Sequence, residues 1–187
     1  MNYSVIKYCD IADGEGVRTT LFVSGCSHHC KNCFQPETWD FAYGQEFTDE
    51  TQQKILDSLA PSYIHGLTLL GGEPMEPENQ AVLADFVERV KAAYPQKTIW
   101  CYTGDVYENL LEGGPRHTPF TNRLLACIDI LVDGPFVEGQ KDVTLRFCGS
   151  ANQRIIDLNA TRAAGHVTLW EDDPIFSSHS MENDIRC

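Results

Sequence analysis

The chain has 187 residues, with 14 basic and 27 acidic side chains and a formal net charge of −13. This negative charge argues against a nucleic-acid backbone or an anionic membrane as a partner, because both bind to a positive protein face. The sequence contains no long apolar segment and no internal repeat, so we expect one cytoplasmic domain without a signal peptide.

Short apolar runs alternate with helical patterns along the chain. Four runs rich in β-branched or aromatic side chains predict strands, in chain order at residues 19–23, 67–70, 98–102 and 128–132. An N-cap at Thr48 predicts a helix that runs through Leu59 and stops before Pro61, and apolar side chains at helical spacing predict a second helix over residues 82–94.

This alternation of strands and helices predicts an α/β fold with a parallel sheet. The strands mostly begin about thirty residues apart, which is the length of one strand with its crossover helix. A closed eight-fold barrel typically takes about 250 residues. We therefore expect an open or partial barrel, with its ligands at the carboxyl ends of the strands.

Small or polar residues follow each predicted strand, and these are the candidate ligand-binding segments. They are Ser24-Gly25-Cys26, Gly71-Gly72-Glu73-Pro74, Thr103-Gly104-Asp105 and Asp133-Gly134-Pro135. A glycine pair leaves backbone groups free for an amine or a carboxylate, while Asp133 could hold a hydroxyl or an ammonium group. We expect these segments to converge on one site.

Cys26, Cys30 and Cys33 follow the first predicted strand with the spacing C-x3-C-x2-C. A disulfide framework is disfavoured, because a chain of this length can bury an adequate core without one. Zinc remains an alternative, since His28 or His29 would supply a fourth ligand. Structural zinc sites usually separate two ligand pairs along the chain, so the spacing favours an iron–sulfur cluster with one iron free of cysteine.

The cysteine spacing and the Gly71-Gly72-Glu73-Pro74 segment resemble the radical S-adenosylmethionine enzymes. Residues 13–19, Asp-Gly-Glu-Gly-Val-Arg-Thr, resemble the D-G-x-G-x-R-T signature of the activases that install glycyl radicals. Within this group, the chain is most similar to the activases of anaerobic ribonucleoside-triphosphate reductase. The resemblance covers roughly residues 8–158.

The resemblance implies a partial (β/α)6, TIM-like barrel in a single domain. Residues 1–158 would form the radical S-adenosylmethionine core, and residues 159–187 a C-terminal extension that is an edge strand or a partner-docking tail. Cys26, Cys30 and Cys33 would ligate a [4Fe–4S] cluster. S-adenosylmethionine would chelate the fourth iron through its amino and carboxylate groups.

The resemblance also implies contacts to S-adenosylmethionine. The methionyl amine would be bound by the strand end formed by Gly71, Gly72, Glu73 and Pro74. Adenine would be bound by the backbone around Asn32, Cys33 and Phe34. The sulfonium and the ribose would be lined by Thr103, Asp133 and Asn152.

In the implied reaction, a 5′-deoxyadenosyl radical removes the α-hydrogen of a glycine in the large subunit of the anaerobic reductase. A low-potential donor such as flavodoxin or ferredoxin would supply the electron. Two alternatives remain open: an activase of another glycyl radical enzyme, of the pyruvate formate-lyase type, and a non-catalytic zinc module.

Several residues outside the motifs carry weaker expectations. We expect Cys101 and Cys127 in the core, because they lie in or beside apolar runs. Cys187 ends a terminal tail. Arg18 could position a carboxylate or the incoming peptide, or pair with one of the many acidic side chains. Tyr102 stands where a related activase group has an aspartate that helps to bind a monovalent cation, which makes that cation doubtful here.

Overall fold

The computed structural model describes residues 1–172. Within this part of the chain, seven strands form one sheet: β1 (Asn2–Asp10), β2 (Val17–Val23), β3 (Gln45–Glu46), β4 (Ile64–Gly71), β5 (Thr98–Tyr102), β6 (Ile130–Asp133) and β7 (Arg154–Asp157). Five α-helices accompany them: α1 (Asp49–Leu59), α2 (Pro77–Ala93), α3 (Tyr107–Leu110), α4 (Thr121–Cys127) and α5 (Leu158–Ala164). The fold is therefore mixed α/β.

The order of the strands in the sheet is β3-β1-β2-β4-β5-β6-β7. The four predicted strands correspond to β2, β4, β5 and β6, which run parallel to one another. Helix α1 leads from the β2 side to β4, α2 leads from β4 to β5, and α3 with α4 lead from β5 to β6. The predicted strand–helix alternation is thus confirmed for the centre of the sheet.

Both edges of the sheet are antiparallel, which corrects the expectation of a parallel sheet throughout. Strand β1 pairs antiparallel with β2 and β3, and β7 pairs antiparallel with β6. No crossover helix separates β1 from β2 or β6 from β7, and a parallel pair requires such a crossover. The sheet is open in the described residues.

One face of the sheet packs against helices α1 and α2. Leu21 pairs with Leu69, and Leu69 pairs with Cys101, so these three fully buried side chains lie in one row across β2, β4 and β5. Ile55 of α1 and Phe86 of α2 belong to the same apolar core. The core position expected for Cys101 is confirmed.

Aromatic residues cover the opposite face of the sheet. The Trp100 ring lies 5.1 Å from the Phe147 ring and 5.4 Å from the Trp170 ring, measured between ring centres. Phe147 belongs to the β6–β7 connection, and Trp170 follows α5. The chain after α5 is joined to β7 by the Trp170 N–H, which donates to the Ile155 carbonyl at 2.9 Å.

The ends of the elements follow local rules. Thr48 caps α1 as predicted, because its hydroxyl accepts a hydrogen bond from the Thr51 N–H. Helix α2 begins at Pro77, earlier than its apolar pattern indicates, since proline is favoured in a first helical turn.

In residues 1–172 no helix combines the length and the apolar character needed to span a bilayer. Cys187 and the end of the tail lie outside the described residues.

Candidate functional site

The segments that follow β2, β4, β5 and β6 meet at one edge of the sheet. The Glu73 N–H donates to the Gly25 carbonyl at 2.8 Å, and the Gly104 N–H donates to the Glu73 carboxylate at 2.7 Å. The Gly134 N–H donates to the Asp105 carbonyl at 2.9 Å. The predicted convergence of these four segments is therefore present in the structure.

The three motif cysteines lie on the loop after β2. Cys26 is 7% exposed, while Cys30 and Cys33 are half-buried. The loop curls back on itself because His29 and Asn32 adopt positive φ angles of 48° and 61°. The backbone N–H groups of His28 and His29 point at the Cys26 sulfur, although burial outweighs them and raises the pKa of the Cys26 thiol to about 11.

The distances between the three thiols bear on whether they could share a single zinc ion. One zinc ion would hold three sulfur atoms roughly 3.8 Å apart, given its bond length to sulfur. Among residues 1–172, one group of three candidate ligands lies within 4.8 Å of one another, and it consists of His28, Glu73 and Asp105 without any cysteine. The His29 ring stacks on Trp39. In the described residues, the three cysteine sulfurs therefore do not lie as close together as the sulfur ligands of one zinc ion would.

Glycines at the end of β4 allow the cysteine loop to approach closely. A Cβ on Gly72 would lie 2.7 Å from the Gly25 carbonyl oxygen, and one on Gly71 would lie 2.7 Å from the Val23 backbone. Gly71 also has a φ of 110°, a backbone conformation that residues with a side chain rarely adopt. The glycine pair is thus required by the contact between the loop and the strand.

The Glu73 side chain is engaged on both carboxylate oxygens. It is 1% exposed, accepts the Met75 N–H at 2.8 Å and the Gly104 N–H at 2.7 Å, and lies 3.1 Å from Nε2 of His28. The same His28 nitrogen lies 3.1 Å from the Asp105 carboxylate. Hydrogen bonds to Asp105 and Glu73 raise the pKa of His28 to about 10. The Glu73 carboxylate is therefore already bound by protein groups.

A second set of contacts continues from Asp105. The Arg116 guanidinium lies 2.8 Å from Asp105 and 2.7 Å from the Glu76 carboxylate. Glu76 accepts hydrogen bonds from the backbone N–H and the hydroxyl of Ser27, each at 2.6 Å. We call His28, Glu73, Glu76, Asp105 and Arg116 the His28 network. Through these contacts, Ser27 and His28 of the cysteine loop are attached to the segments that follow β4 and β5.

The remaining predicted residues lie on the β5 and β6 side of the site. Thr103 is buried, and its N–H donates to the Val132 carbonyl at 2.9 Å. Asp133 is fully buried, with its carboxylate held by Arg154, which also binds Glu108. The Asn152 amide is used within its own loop, because it donates to the Pro135 carbonyl and accepts from the Ser150 hydroxyl, both at 2.7 Å.

Asn32 and Phe34 lie on the outer part of the cysteine loop. The Asn32 amide donates to Glu138 in the β6–β7 connection, and Lys31 lies 3.3 Å from the same carboxylate. Phe34 is 76% exposed. This loop therefore touches the β6–β7 connection and presents a free aromatic ring beside Cys33.

Sequence reasoning missed most of the His28 network. His28 and Asp105 lie inside segments that the motifs singled out, and a histidine between two cluster cysteines was a usable signal. Arg116 lies in no motif, so only the tertiary structure brings it to the site. Arg18 is absent from the site, because its guanidinium hydrogen-bonds to the carbonyls of Leu67 and Thr98 inside the sheet.

Comparisons with known proteins agree with this site. A family model described as a 4Fe-4S single cluster domain matches residues 12–156. A protein of Pasteurella multocida is 41% identical over 157 residues, covering 83% of this chain and 96% of its own length. One of Haemophilus influenzae is 42% identical over 157 residues, covering 83% and 97%. One of Enterobacteria phage T4 is 37% identical over 155 residues, covering 83% and 93%. All three are named anaerobic ribonucleoside-triphosphate reductase-activating protein.

Proposed function

Because this chain belongs to the family of anaerobic ribonucleoside-triphosphate reductase-activating proteins, we propose that it generates a glycyl radical on such a reductase. The observation that carries this proposal is the position of the three cysteines on the loop that follows β2, whose Gly25 lies against Gly72, within a match to a 4Fe-4S family model. The four parallel strands at the centre of the sheet, with their crossover helices, support a partial TIM-like barrel.

Cys26, Cys30 and Cys33 would hold a [4Fe–4S] cluster and leave one iron for S-adenosylmethionine. When bound, a reduced cluster would supply the single electron for cleavage of the sulfur–carbon bond to the ribose 5′ carbon, which would leave methionine and allow 5′-deoxyadenosine to form by uptake of a hydrogen atom from the reductase glycine. The residues of this chain would hold the cluster and S-adenosylmethionine in the correct relative position and keep water away from them.

The backbone at Gly71 and Gly72 is the best partner for the methionyl amine, because the Glu73 carboxylate already binds His28 and two N–H groups. Pro74 is buried and would shape the turn that follows. Each of these contacts uses groups at the carboxyl end of β4.

Adenine would pack near the backbone of Asn32 and Cys33 and against Phe34, whose ring is exposed enough to stack on a base. Thr103, Asp133 and Asn152 would line the sulfonium and the ribose. Asp133 would act there together with Arg154, which is bound to its carboxylate. The Asn152 side chain would give up an internal hydrogen bond to reach a ligand.

The large subunit of the reductase is the protein substrate in this proposal, and a flavodoxin or ferredoxin of low potential is the electron donor. A reducing cytoplasm suits the seven cysteines of residues 1–172, all of which are free thiols. Residues 1–158 would form the catalytic core and residues 159–187 an extension, whose described part packs on β7 through Leu169 and Trp170.

Anoxic reconstitution tests this function. We expect about four irons per chain, conversion of S-adenosylmethionine to 5′-deoxyadenosine with a strong reductant, and a glycyl electron paramagnetic resonance signal on the reductase subunit. Cys30→Ser should abolish all three results, whereas Cys9→Ser, which changes an exposed thiol, should retain them. A colourless zinc protein, or a glycyl signal only on a pyruvate formate-lyase, would contradict the proposal.

A further inference from the structure

We propose that His28 is a positioning residue, which fixes the loop of cluster cysteines against the carboxyl ends of β4 and β5. The inference rests on the proposed function, because it concerns the same three cysteines. His28 would not touch the iron or the substrate. Its imidazole would act by holding the backbone between Cys26 and Cys30 in one conformation.

The imidazole joins two carboxylates that come from different strand ends. Nε2 of His28 lies 3.1 Å from Glu73 and 3.1 Å from Asp105, and the two acidic side chains are 1% and 8% exposed. Two buried carboxylates without a hydrogen-bond donor between them would repel each other. His28 therefore links the cysteine loop to β4 and β5 through a single ring.

Gly104 provides independent support for this position of the ring. A Cβ at Gly104 would lie 2.8 Å from Cδ2 and 3.0 Å from Nε2 of His28. Gly104 is not in the left-handed region of backbone conformation, so its backbone geometry does not call for glycine. The close approach of the His28 ring does call for it.

The position of His28 has a direct consequence for the cluster sulfur. The backbone N–H groups of His28 and His29 lie close enough to the Cys26 sulfur to lower the pKa of its thiol. Glu76 holds the preceding residue, Ser27, through its backbone and its hydroxyl. The backbone donors that face Cys26 are thus fixed from two sides, and hydrogen bonds to the sulfur ligands influence the redox properties of iron–sulfur clusters.

The first test compares two neighbouring histidines in the reconstituted protein. Asparagine at position 28 is too short to reach both carboxylates, while asparagine at position 29 suits the positive φ of that residue. We expect His28→Asn to lose iron to a chelator about 10-fold faster than the wild type, as is typical when a supporting residue of a metal site is removed. His29→Asn should lose iron at the wild-type rate.

The reduced cluster gives a readout that a general loss of stability would not change. We expect the electron paramagnetic resonance spectrum of His28→Asn to differ from that of the wild type, both alone and with S-adenosylmethionine. The spectrum of His29→Asn should be unchanged. Equal iron loss and equal spectra for the two variants would overturn the role of His28.

A double-mutant cycle with Gly104→Ala tests the same contact from the other side, and Gly104→Ala alone keeps the inference testable where His28→Asn folds poorly. We expect Gly104→Ala to accelerate iron loss in the wild-type background, because the new methyl group displaces the His28 ring. The same change should have little further effect in the His28→Asn background, since the ring is absent. Additive effects of the two changes would overturn the inference.

The result for the wild type separates the two proposals. A wild-type chain that takes up no iron–sulfur cluster would overturn both the proposed function and the role of His28. A wild-type chain with a cluster and with glycyl radical activity, together with variants that behave like it, would overturn the role of His28 alone.

Discussion

The guanidinium carbon of Arg18 lies 5.6 Å from the centre of the Trp100 ring, and the Arg18 side chain is 1% exposed. The guanidinium donates to the carbonyls of Leu67, Thr98 and Glu15 and to the hydroxyls of Thr98 and Thr68. Burial lowers the pKa of Arg18 to about 10. Arg18 thus joins β2, β4 and β5 as a buried cation whose hydrogen bonds go to neutral acceptors.

Arg18→Lys should therefore lower the free energy of unfolding by about 2 kcal/mol or more, because an ammonium group cannot replace the planar fork and leaves buried acceptors unpaired. Urea unfolding measures this change. The matched control is Arg123→Lys, at a surface guanidinium that pairs with Glu88 and Asp85, where we expect a much smaller change than at Arg18. Similar losses at the two positions would contradict this account of Arg18.

The centre of the fold was predictable because its signals are local. Strands β2, β4, β5 and β6 are apolar runs, and the Thr48 cap and the apolar stripe of α2 depend on neighbours in the sequence. Strand β1 is half exposed, and its pairing with β2 contains register shifts. Its sequence therefore lacks the clear alternation of apolar and polar residues that would predict a strand. Strand β7 is too short to stand out, since it has only four residues.

The site was predictable to the same extent. The cysteines and the glycine pair carry a recognisable spacing, and the parallel sheet brings their segments together. The partners of each side chain depend on tertiary packing. Arg116 approaches Asp105 and Glu76 from a loop with no motif, and the burial of Arg18 depends on Thr68 and Thr98, far away in the sequence.

Gly72→Ala should destabilise the chain by about 1–3 kcal/mol, because the new methyl group meets the backbone carbonyls of Gly25 and Thr38 at 2.7 and 3.0 Å. Thermal or urea unfolding of the metal-free protein measures the effect. Gly139→Ala is the matched control, since a Cβ at Gly139 meets no atom within 4 Å. Equal stability of both variants would show that the loop after β2 moves to accommodate the methyl group without a loss of stability.

Asp13 should make stability depend on pH. Burial, together with the neighbouring Asp10 carboxylate, raises the pKa of Asp13 to about 7 in the folded chain, above the value of about 3.9 expected when unfolded. The folded state then binds the Asp13 proton more tightly than the unfolded state. The stabilisation by this proton is fully present below about pH 3.9, decreases as pH rises from there, and is lost once pH has passed about 7.

Asp13→Asn keeps an amide donor for Asp10 at every pH and should remove this dependence. We expect the stability of the variant relative to the wild type to increase between about pH 5 and about pH 8, as followed by urea unfolding. Lys7 lowers the pKa of both carboxyl groups and remains present in the variant. A difference in stability that is the same at both pH values would contradict a buried proton on Asp13.

Trp170 should stabilise the fold from the segment that follows α5. Its ring packs edge-on against Trp100, 5.4 Å away, and lies 6.0 Å from Phe147, so it covers the face of the sheet that the helices leave open. We expect Trp170→Ala to lower the free energy of unfolding by about 2 kcal/mol, which is less than for a fully buried tryptophan because the ring is half-buried. The adjacent Leu169 is 57% exposed, so Leu169→Ala should change stability by about 0.5 kcal/mol or less. If both variants unfold at the wild-type urea concentration, the Trp170 ring contributes nothing to the stability of the fold.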